Sequence, residues 1–160
     1  MKRAGIELDI VPSMVARAIE ESLKENVKLL ELDVNERSIT HKIAEQLQKV
    51  FREYDFDVDC EYNRDRHEPK LLDLPIDMVA TNETEAKTVY PDIIVHKRDS
   101  KENLVVIEAK KSTNSDTEID VLKLKQFKKK LGYSFCYQLK IEVGKSVDRT
   151  NPRFKLVEIS

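Results

Sequence analysis

The chain has 160 residues, of which 40% are hydrophobic and 36% are charged. This length and composition support one domain with a hydrophobic core and exclude a disordered protein. No apolar run approaches the ~20 residues needed to span a bilayer, which excludes a membrane-spanning protein. The N-terminal segment lacks a signal-peptide apolar region, so we expect a cytoplasmic protein. Cys60 and Cys136 have no metal-binding spacing and are predicted to be free and buried, as in a reducing compartment.

Charge is distributed unevenly along the chain, although the net charge is only −2. Residues 111–160 contain 11 Lys and Arg against 6 Asp and Glu, whereas residues 1–110 contain 17 against 24. A basic C-terminal part is suited to contact phosphate groups, but lysine-rich helix faces are as often only solvated. The composition therefore permits a nucleic-acid partner without requiring one.

Two amphipathic helices are predicted at the N-terminal end. The first spans Val15–Leu32, with Ser13 as its N-cap, and forms an extra helix that covers a face of the sheet or meets a partner. The second spans Glu36–Arg52 and carries apolar residues at helical spacing. No chemistry is indicated in the first helix.

Glu36 is expected to face inward from the second helix. It lies seven positions before Ile43 and therefore about 20° from the centre of the apolar stripe. Glu45 and His41 lie on the opposite side and are expected to face solvent. Asp33 precedes Glu36 at capping-box spacing, so a bond to its own helix N-terminus is an alternative role for Glu36.

A strand is predicted over Phe56–Tyr62, where apolar and acidic residues alternate. Glu61 ends this strand, either near the site described below or in solvent. The connection at residues 63–88 is too long for a passive turn and predicts a flap beside the site or an insertion with a strand at Ile76–Ala80. Arg64 in this connection is a candidate contact to a phosphate backbone.

Two apolar strands, Tyr90–His96 and Leu104–Ala109, are predicted to form a hairpin buried on both faces. Asp92 lies near the start of the first strand, and Glu108 and Lys110 lie at the end of the second. Glu108 and Lys110 point to one face because side chains alternate along a strand. The hairpin therefore predicts two carboxylates and an ammonium at one edge of the core.

A lysine-rich helix is predicted after this hairpin. Ser115 or Asp116 caps it, and Gly132 favours its end after Leu131. Two further strands are predicted at Tyr133–Val143 and Phe154–Ile159. The order of elements predicts a single α/β domain over residues 1–160, with helices flanking a mixed sheet.

The charged residues of the hairpin are suited to metal-assisted hydrolysis of a phosphodiester. Two adjacent carboxylates repel, and their burial is unfavourable unless a cation joins them. Mg²⁺, with Mn²⁺ as a substitute, binds one or two carboxylates together with water and a substrate phosphate. Lys110 would position or deprotonate the attacking water, or stabilise charge on the phosphate. The alternative is a solvated Glu–Lys pair and a strand-opening Asp.

Pro91-Asp92, followed after fifteen residues by Glu108-Ala109-Lys110, resembles the motif of the PD-(D/E)xK nuclease superfamily. That superfamily includes restriction endonucleases, Holliday-junction resolvases and repair exonucleases. Residues 36–47 (ERSITHKIAEQL) resemble the helix before the core sheet in its small bacterial members. The resemblance implies a restriction-endonuclease-like α-β-β-β-α-β core, with catalytic roles for Asp92, Glu108, Lys110 and Glu36. It also implies a metal bound by Asp92, Glu108 and the carbonyl of Ala109.

The resemblance extends to the function and the partners. It places the lysine-rich helix near the active site, which makes Lys123 and Gln126 candidate nucleic-acid contacts. The expected protein is a Mg²⁺-dependent nuclease acting on nucleic acid, with DNA as the expected form, either alone or as a homodimer or larger complex. The alternative is a catalytically silent module of the same fold for nucleic-acid binding or protein interaction in a defence or repair system. A Ser-His-Asp hydrolase is disfavoured because the sequence has no G-x-S-x-G elbow.

Overall fold

The computed structural model describes residues 1–62, 71–73, 86–88, 90–114 and 117–160. Within them, helices pack on a five-stranded mixed sheet, which confirms the predicted α/β class. The helices are α1 (Val11–Glu25), α2 (Val27–Glu31), α3 (Glu36–Phe51) and α4 (Glu118–Leu131), with 3-10 turns at Leu8–Ile10 and Arg52–Tyr54. The strands are β1 (Lys2–Arg3), β2 (Ile6–Glu7), β3 (Asp57–Cys60), β4 (Leu71–Asp73), β5 (Ala86–Thr88), β6 (Ile93–His96), β7 (Asn103–Lys111), β8 (Phe135–Ile141) and β9 (Phe154–Glu158). No helix in the described ranges has the length and apolar character needed to cross a membrane.

The five strands of the sheet have the order β3-β6-β7-β8-β9. β6 and β7 form the predicted antiparallel hairpin, in which Ile93 pairs with Ile107. β7 and β8 are parallel, and the chain passes between them through α4, because parallel strands require a crossover connection. β3 and β9 are antiparallel edge strands. The hairpin therefore lies inside the sheet, and β6 and most of β7 are buried on both faces.

Each face of the sheet has its own hydrophobic core. Ile107 and Ala109 of β7 belong to the larger core, which includes the apolar stripes of α1 and α3. Val106 belongs to the smaller core, which lies under α4. Glu108 and Lys110 share the alternation of Val106 and therefore point to the α4 face. This division of the strand between two cores determines which helix can reach the charged residues.

The predicted N-terminal helix is interrupted. α1 begins one turn earlier than predicted, and it ends before Asn26, whose side chain donates a 2.8 Å hydrogen bond to the Ser22 carbonyl. Ser13 lies inside α1, so its prediction as the N-cap is wrong. Pro12 occupies the first turn, where a backbone N–H would have no helical partner in any case.

α3 begins at Glu36, as predicted, but its cap differs from the capping box. The N-cap is Asn35, whose side-chain oxygen accepts a 2.9 Å hydrogen bond from the Ser38 N–H. The Asp33–Glu36 capping box is therefore wrong, and the Glu36 carboxylate is free to bond elsewhere. His41 and Glu45 are exposed, as predicted, and pair with each other on the solvent side of the helix at 2.9 Å.

A polar cluster ties the edge strand β3 to β6. The Asp59 carboxylate lies 2.7 Å from His96 Nε2 and accepts a 3.0 Å hydrogen bond from Arg98 Nε. His96 is buried and makes an edge-to-face contact with Tyr62. Burial alone would raise the pKa of Asp59, but the hydrogen bonds from His96 and Arg98 lower it to about 2. Both cysteines are free; Cys136 is buried as predicted, whereas Cys60 is exposed at the end of this edge strand, contrary to the prediction.

β4 and β5 form a separate antiparallel ladder, and β4 lies beside α4. The predicted strand at Ile76–Ala80, the candidate Arg64 and the predicted helix caps Ser115 and Asp116 fall outside the described residues. α4 ends at Gly132, which adopts the left-handed conformation (φ 69°) that glycine accommodates without a Cβ penalty, as predicted.

Candidate metal and catalytic site

The C-terminal end of β7 extends beyond the start of β6 and leaves two backbone amides without a partner from that strand. The Ala109 N–H donates a 2.8 Å hydrogen bond to Asp92 Oδ2, and the Lys111 N–H donates a 2.9 Å hydrogen bond to Glu36 Oε2. Buried backbone amides require such partners. The sequence-predicted Asp92 and Glu36 are thus brought to neighbouring positions along one strand, by two different elements.

The opposite arm of the site lies between β7 and α4. Glu108 is only 2% exposed, and its Oε1 lies 2.9 Å from Lys123 Nζ. Lys110 Nζ lies 3.6 Å from Asp120 Oδ2, and the Asp120 side chain is 4% exposed. β7 and α4 therefore each supply one acid and one base to a group of four alternating charges, in which the acids are buried and the lysines are partly buried.

Asp92 joins this group through the register of the hairpin. Ile93 pairs with Ile107, so the preceding residue, Asp92, comes opposite Glu108. Residues directly opposite on antiparallel strands have Cβ atoms roughly 5 Å apart. Asp92, Glu108, Lys110, Asp120 and Lys123 thus make up what we call the charged cluster, which has three acidic and two basic side chains.

The electrostatics of the charged cluster favour the uptake of positive charge. Burial, and then the negative charge of Asp92, raise the pKa of Glu108 well above 4.5, while the ammonium of Lys123 acts against that shift. Burial also raises the pKa of Asp120, against the effect of Lys110. Burial alone would lower the pKa of Lys123, but the charge of Glu108 raises it, so Lys123 stays protonated.

Asp120 is the member of the cluster that the sequence analysis missed. It precedes Leu124 and Phe127 by four and seven positions, and all three are buried on the same side of α4. An acidic residue on the apolar stripe of a helix is unfavourable unless it has a partner. That pattern was a signal of a buried carboxylate, but its partner Lys110 is identified only by the packing of α4 on the sheet.

A cavity of about 390 Å³ lies on the outer side of Asp92. It is lined by Glu36, Arg37, Thr40, His41, Cys60, Glu61 and Asp92. Glu61 Oε1 pairs with Arg37 Nη2 at 3.1 Å. Glu36 and Glu61, which the sequence left as alternative additions to the site, therefore line the same cavity as Asp92.

The two candidate nucleic-acid contacts on α4 point inward. Lys123 is 16% exposed and its ammonium is engaged by Glu108. Gln126 is partly buried, and its Oε1 has no hydrogen-bond donor among the described residues. The third candidate, Arg64, lies outside the described part of the chain.

The donor set of the site fits a hard divalent ion. In the described ranges no three His, Cys, Asp or Glu side chains are grouped closely enough to hold a metal by themselves. Mg²⁺ commonly takes only one or two carboxylates and completes its shell with water and other oxygens. Asp92 and Glu108 are two such carboxylates, and the Ala109 carbonyl points to the same side of β7 as its N–H, which meets Asp92.

No protein-family model, curated protein or solved structure matches the chain. The resemblance to PD-(D/E)xK nucleases therefore depends on the motif residues of the sequence.

Proposed function

We propose that this protein is a divalent-metal-dependent nuclease that hydrolyses phosphodiester bonds of nucleic acid, with DNA as the expected substrate. The observation that carries the proposal is the position of Asp92, which accepts the Ala109 N–H and is close enough to Glu108 to raise its pKa, beside Lys110 at the end of a central hairpin. A scattered Glu–Lys pair and a strand-opening Asp would each face solvent. Here Glu108 is buried, and Asp92 is bonded to the backbone of the motif residue Ala109.

The arrangement of elements supports the same proposal. α3, β3, β6, β7, α4 and β8 follow one another as helix, three sheet strands, helix and strand, with β4–β5 inserted as a separate ladder. This is the order of the restriction-endonuclease-like core. Glu36 at the start of α3 reaches the end of β7, in agreement with its proposed place in the acidic site.

Asp92, Glu108 and the Ala109 carbonyl would hold the ion, whose charge when bound would polarise the phosphate and a water molecule. Lys110, whose side chain is 21% exposed, would bind and orient the attacking water and stabilise negative charge on the phosphate oxygens. Asp120 keeps the Lys110 ammonium at this position. Glu36 contributes negative charge on the other side of the strand end.

Plasmid cleavage by an Asp92→Asn variant tests the proposal. Asparagine retains a side-chain oxygen that can accept the Ala109 N–H, so the fold should persist while a charged ligand is lost. Wild type should nick plasmid in millimolar Mg²⁺, the variant should show no cleavage above background, and Asp9→Asn at an exposed position should cleave normally. Cleavage by Asp92→Asn at the wild-type rate would refute the proposed role.

One observation favours a second candidate function, a metal-free module on the same fold. Lys123 already supplies positive charge at 2.9 Å from Glu108, so Glu108 has a cationic partner in the absence of a metal. A thermal-shift titration with Mn²⁺ separates the candidates. An ion at about 100 times its Kd stabilises the native state by about 2.7 kcal/mol, whereas the module predicts no shift and no nicking.

A further inference from the structure

Three lysines lie side by side across the C-terminal half of the sheet. Lys110 of β7 is in register with Lys140 of β8, and Lys140 is in register with Lys155 of β9. Neighbouring strands are about 4.8 Å apart, so this lysine row is about 10 Å long. All three residues line one cavity of about 120 Å³, and Thr117 and Gln138 are among its other lining residues.

The three lysines of the row repel one another, and among the described residues few acidic side chains lie near them to offset that repulsion. Like charges directly opposite on adjacent strands are destabilising. Lys110 has Asp120 at 3.6 Å, but Lys140 and Lys155 are exposed and form no ion pair with any residue in the described ranges. The next acid after Lys140 in the same alternation is Glu142, one residue beyond the end of β8, and it accepts a 3.4 Å hydrogen bond from Ser146. The open end of the row therefore favours an anionic ligand.

We propose that the lysine row binds the phosphodiester backbone of a nucleic-acid strand and leads it to the charged cluster, an inference that rests on the proposed nuclease function. Lys110 belongs to both the row and the cluster, so a strand lying along the row ends at Asp92 and Glu108. Phosphates recur at 3.4 Å of axial rise per strand, so a row of about 10 Å spans roughly three nucleotides. α4 begins at Glu118 and leaves Lys140 and Lys155 uncovered.

The test compares Lys140→Gln/Lys155→Gln with the matched control Lys125→Gln/Lys129→Gln, which changes two exposed lysines of α4. Fluorescence anisotropy in EDTA measures the binding of labelled single-stranded and duplex oligonucleotides without cleavage. Each lost phosphate contact reduces the slope of log K against log salt by about 0.7 to 0.9. Two lost contacts reduce the slope by about 1.4 to 1.8, so over the tenfold range from 1 M to 0.1 M salt the double variant should become about 25- to 60-fold weaker relative to wild type. The control should bind like wild type. The oligonucleotide with the greater loss identifies the form of strand that follows the row.

The outcomes separate this inference from the proposed function. If wild type cleaves plasmid but the double variant binds with an unchanged salt slope, the inference is overturned and the nuclease stands. If binding depends on Lys140 and Lys155 but wild type never cleaves, the row stands and the nuclease fails. Equal losses in the control, or no binding of either oligonucleotide at low salt, also overturn the inference. Unchanged melting temperatures verify that both variants are folded.

Discussion

Replacing Lys123 with methionine should destabilise the protein more at neutral pH than at pH 5. Methionine fills similar volume but leaves Glu108 buried between Asp92 and Asp120 without the ammonium that now lies 2.9 Å away. Removal of one partner of a buried ion pair is costly because the remaining charge is uncompensated. Glu108 can avoid that cost only by taking up a proton.

Proton uptake sets an upper limit on the destabilisation. It costs about 1.36 kcal/mol for each pH unit above the ordinary carboxyl pKa of 4.5. The limit is therefore about 3.4 kcal/mol at pH 7 and about 0.7 kcal/mol at pH 5. The sign follows because loss of the Lys123 ammonium raises the pKa of Glu108 further in the folded state: the difference in stability from wild type is smallest in acid and grows as the pH rises. For a chain of this size, the loss at pH 7 corresponds to a decrease in Tm of up to about 7 to 14 °C.

Thermal and urea unfolding at pH 5 and pH 7 measure the effect. Lys129→Met, an exposed substitution on the same helix, is the control and should change stability by less than about 0.5 kcal/mol at either pH. Adding Glu108→Gln to Lys123→Met should remove the part of the pH dependence that Glu108 contributes, because an amide has no charge to neutralise. An equal loss at both pH values, or a double variant that keeps the pH dependence, would refute the account of the charged cluster.

Three further predictions concern the scaffold. The Asp59→Asn variant should be less stable than wild type at pH 5, and this difference in stability should shrink as the pH falls to 2. In wild type, the bonds to His96 and Arg98 lower the pKa of Asp59 from 3.8 to about 2. The stabilisation from these bonds is therefore lost when the Asp59 carboxylate takes up a proton in acid. The shift is worth at most about 2 kcal/mol and roughly 1 after solvent screening; urea unfolding that shows a constant gap would contradict it. Asn35→Ala should remove the N-cap of α3 and cost about 1 kcal/mol in urea unfolding, whereas an unchanged midpoint would mean that the cap contributes nothing. Gly132→Ala should lower stability by about 1 kcal/mol because alanine is strained at φ 69°, and an unchanged Tm would argue against that conformation.

The local sequence pattern was sufficient to predict those elements whose own residues show a clear apolar run, an alternation or a terminating glycine. The apolar runs of β6 and β7, the alternation of β8 and the glycine that ends α4 were all predicted at or near their observed positions. The prediction was wrong where a nearby polar residue competed for the same role. Asn35 caps α3 in place of Asp33 and Glu36, because a short amide one position before the helix reaches its first-turn N–H directly. β1 and β2 were not predicted, since two-residue strands have no periodicity.

By itself, the sequence determined that a buried hairpin carries Asp92, Glu108 and Lys110, because alternation along a strand is a local property. Only the tertiary structure decided which side chains pair with those charged residues. Asp120 and Lys123 enter the cluster because α4, as the crossover between parallel strands, packs on the face to which Glu108 points. Glu36 reaches Lys111 because β7 is longer than the strand beside it. These three contacts depend on strand lengths and helix packing across the sheet, which a short stretch of neighbouring residues does not reveal.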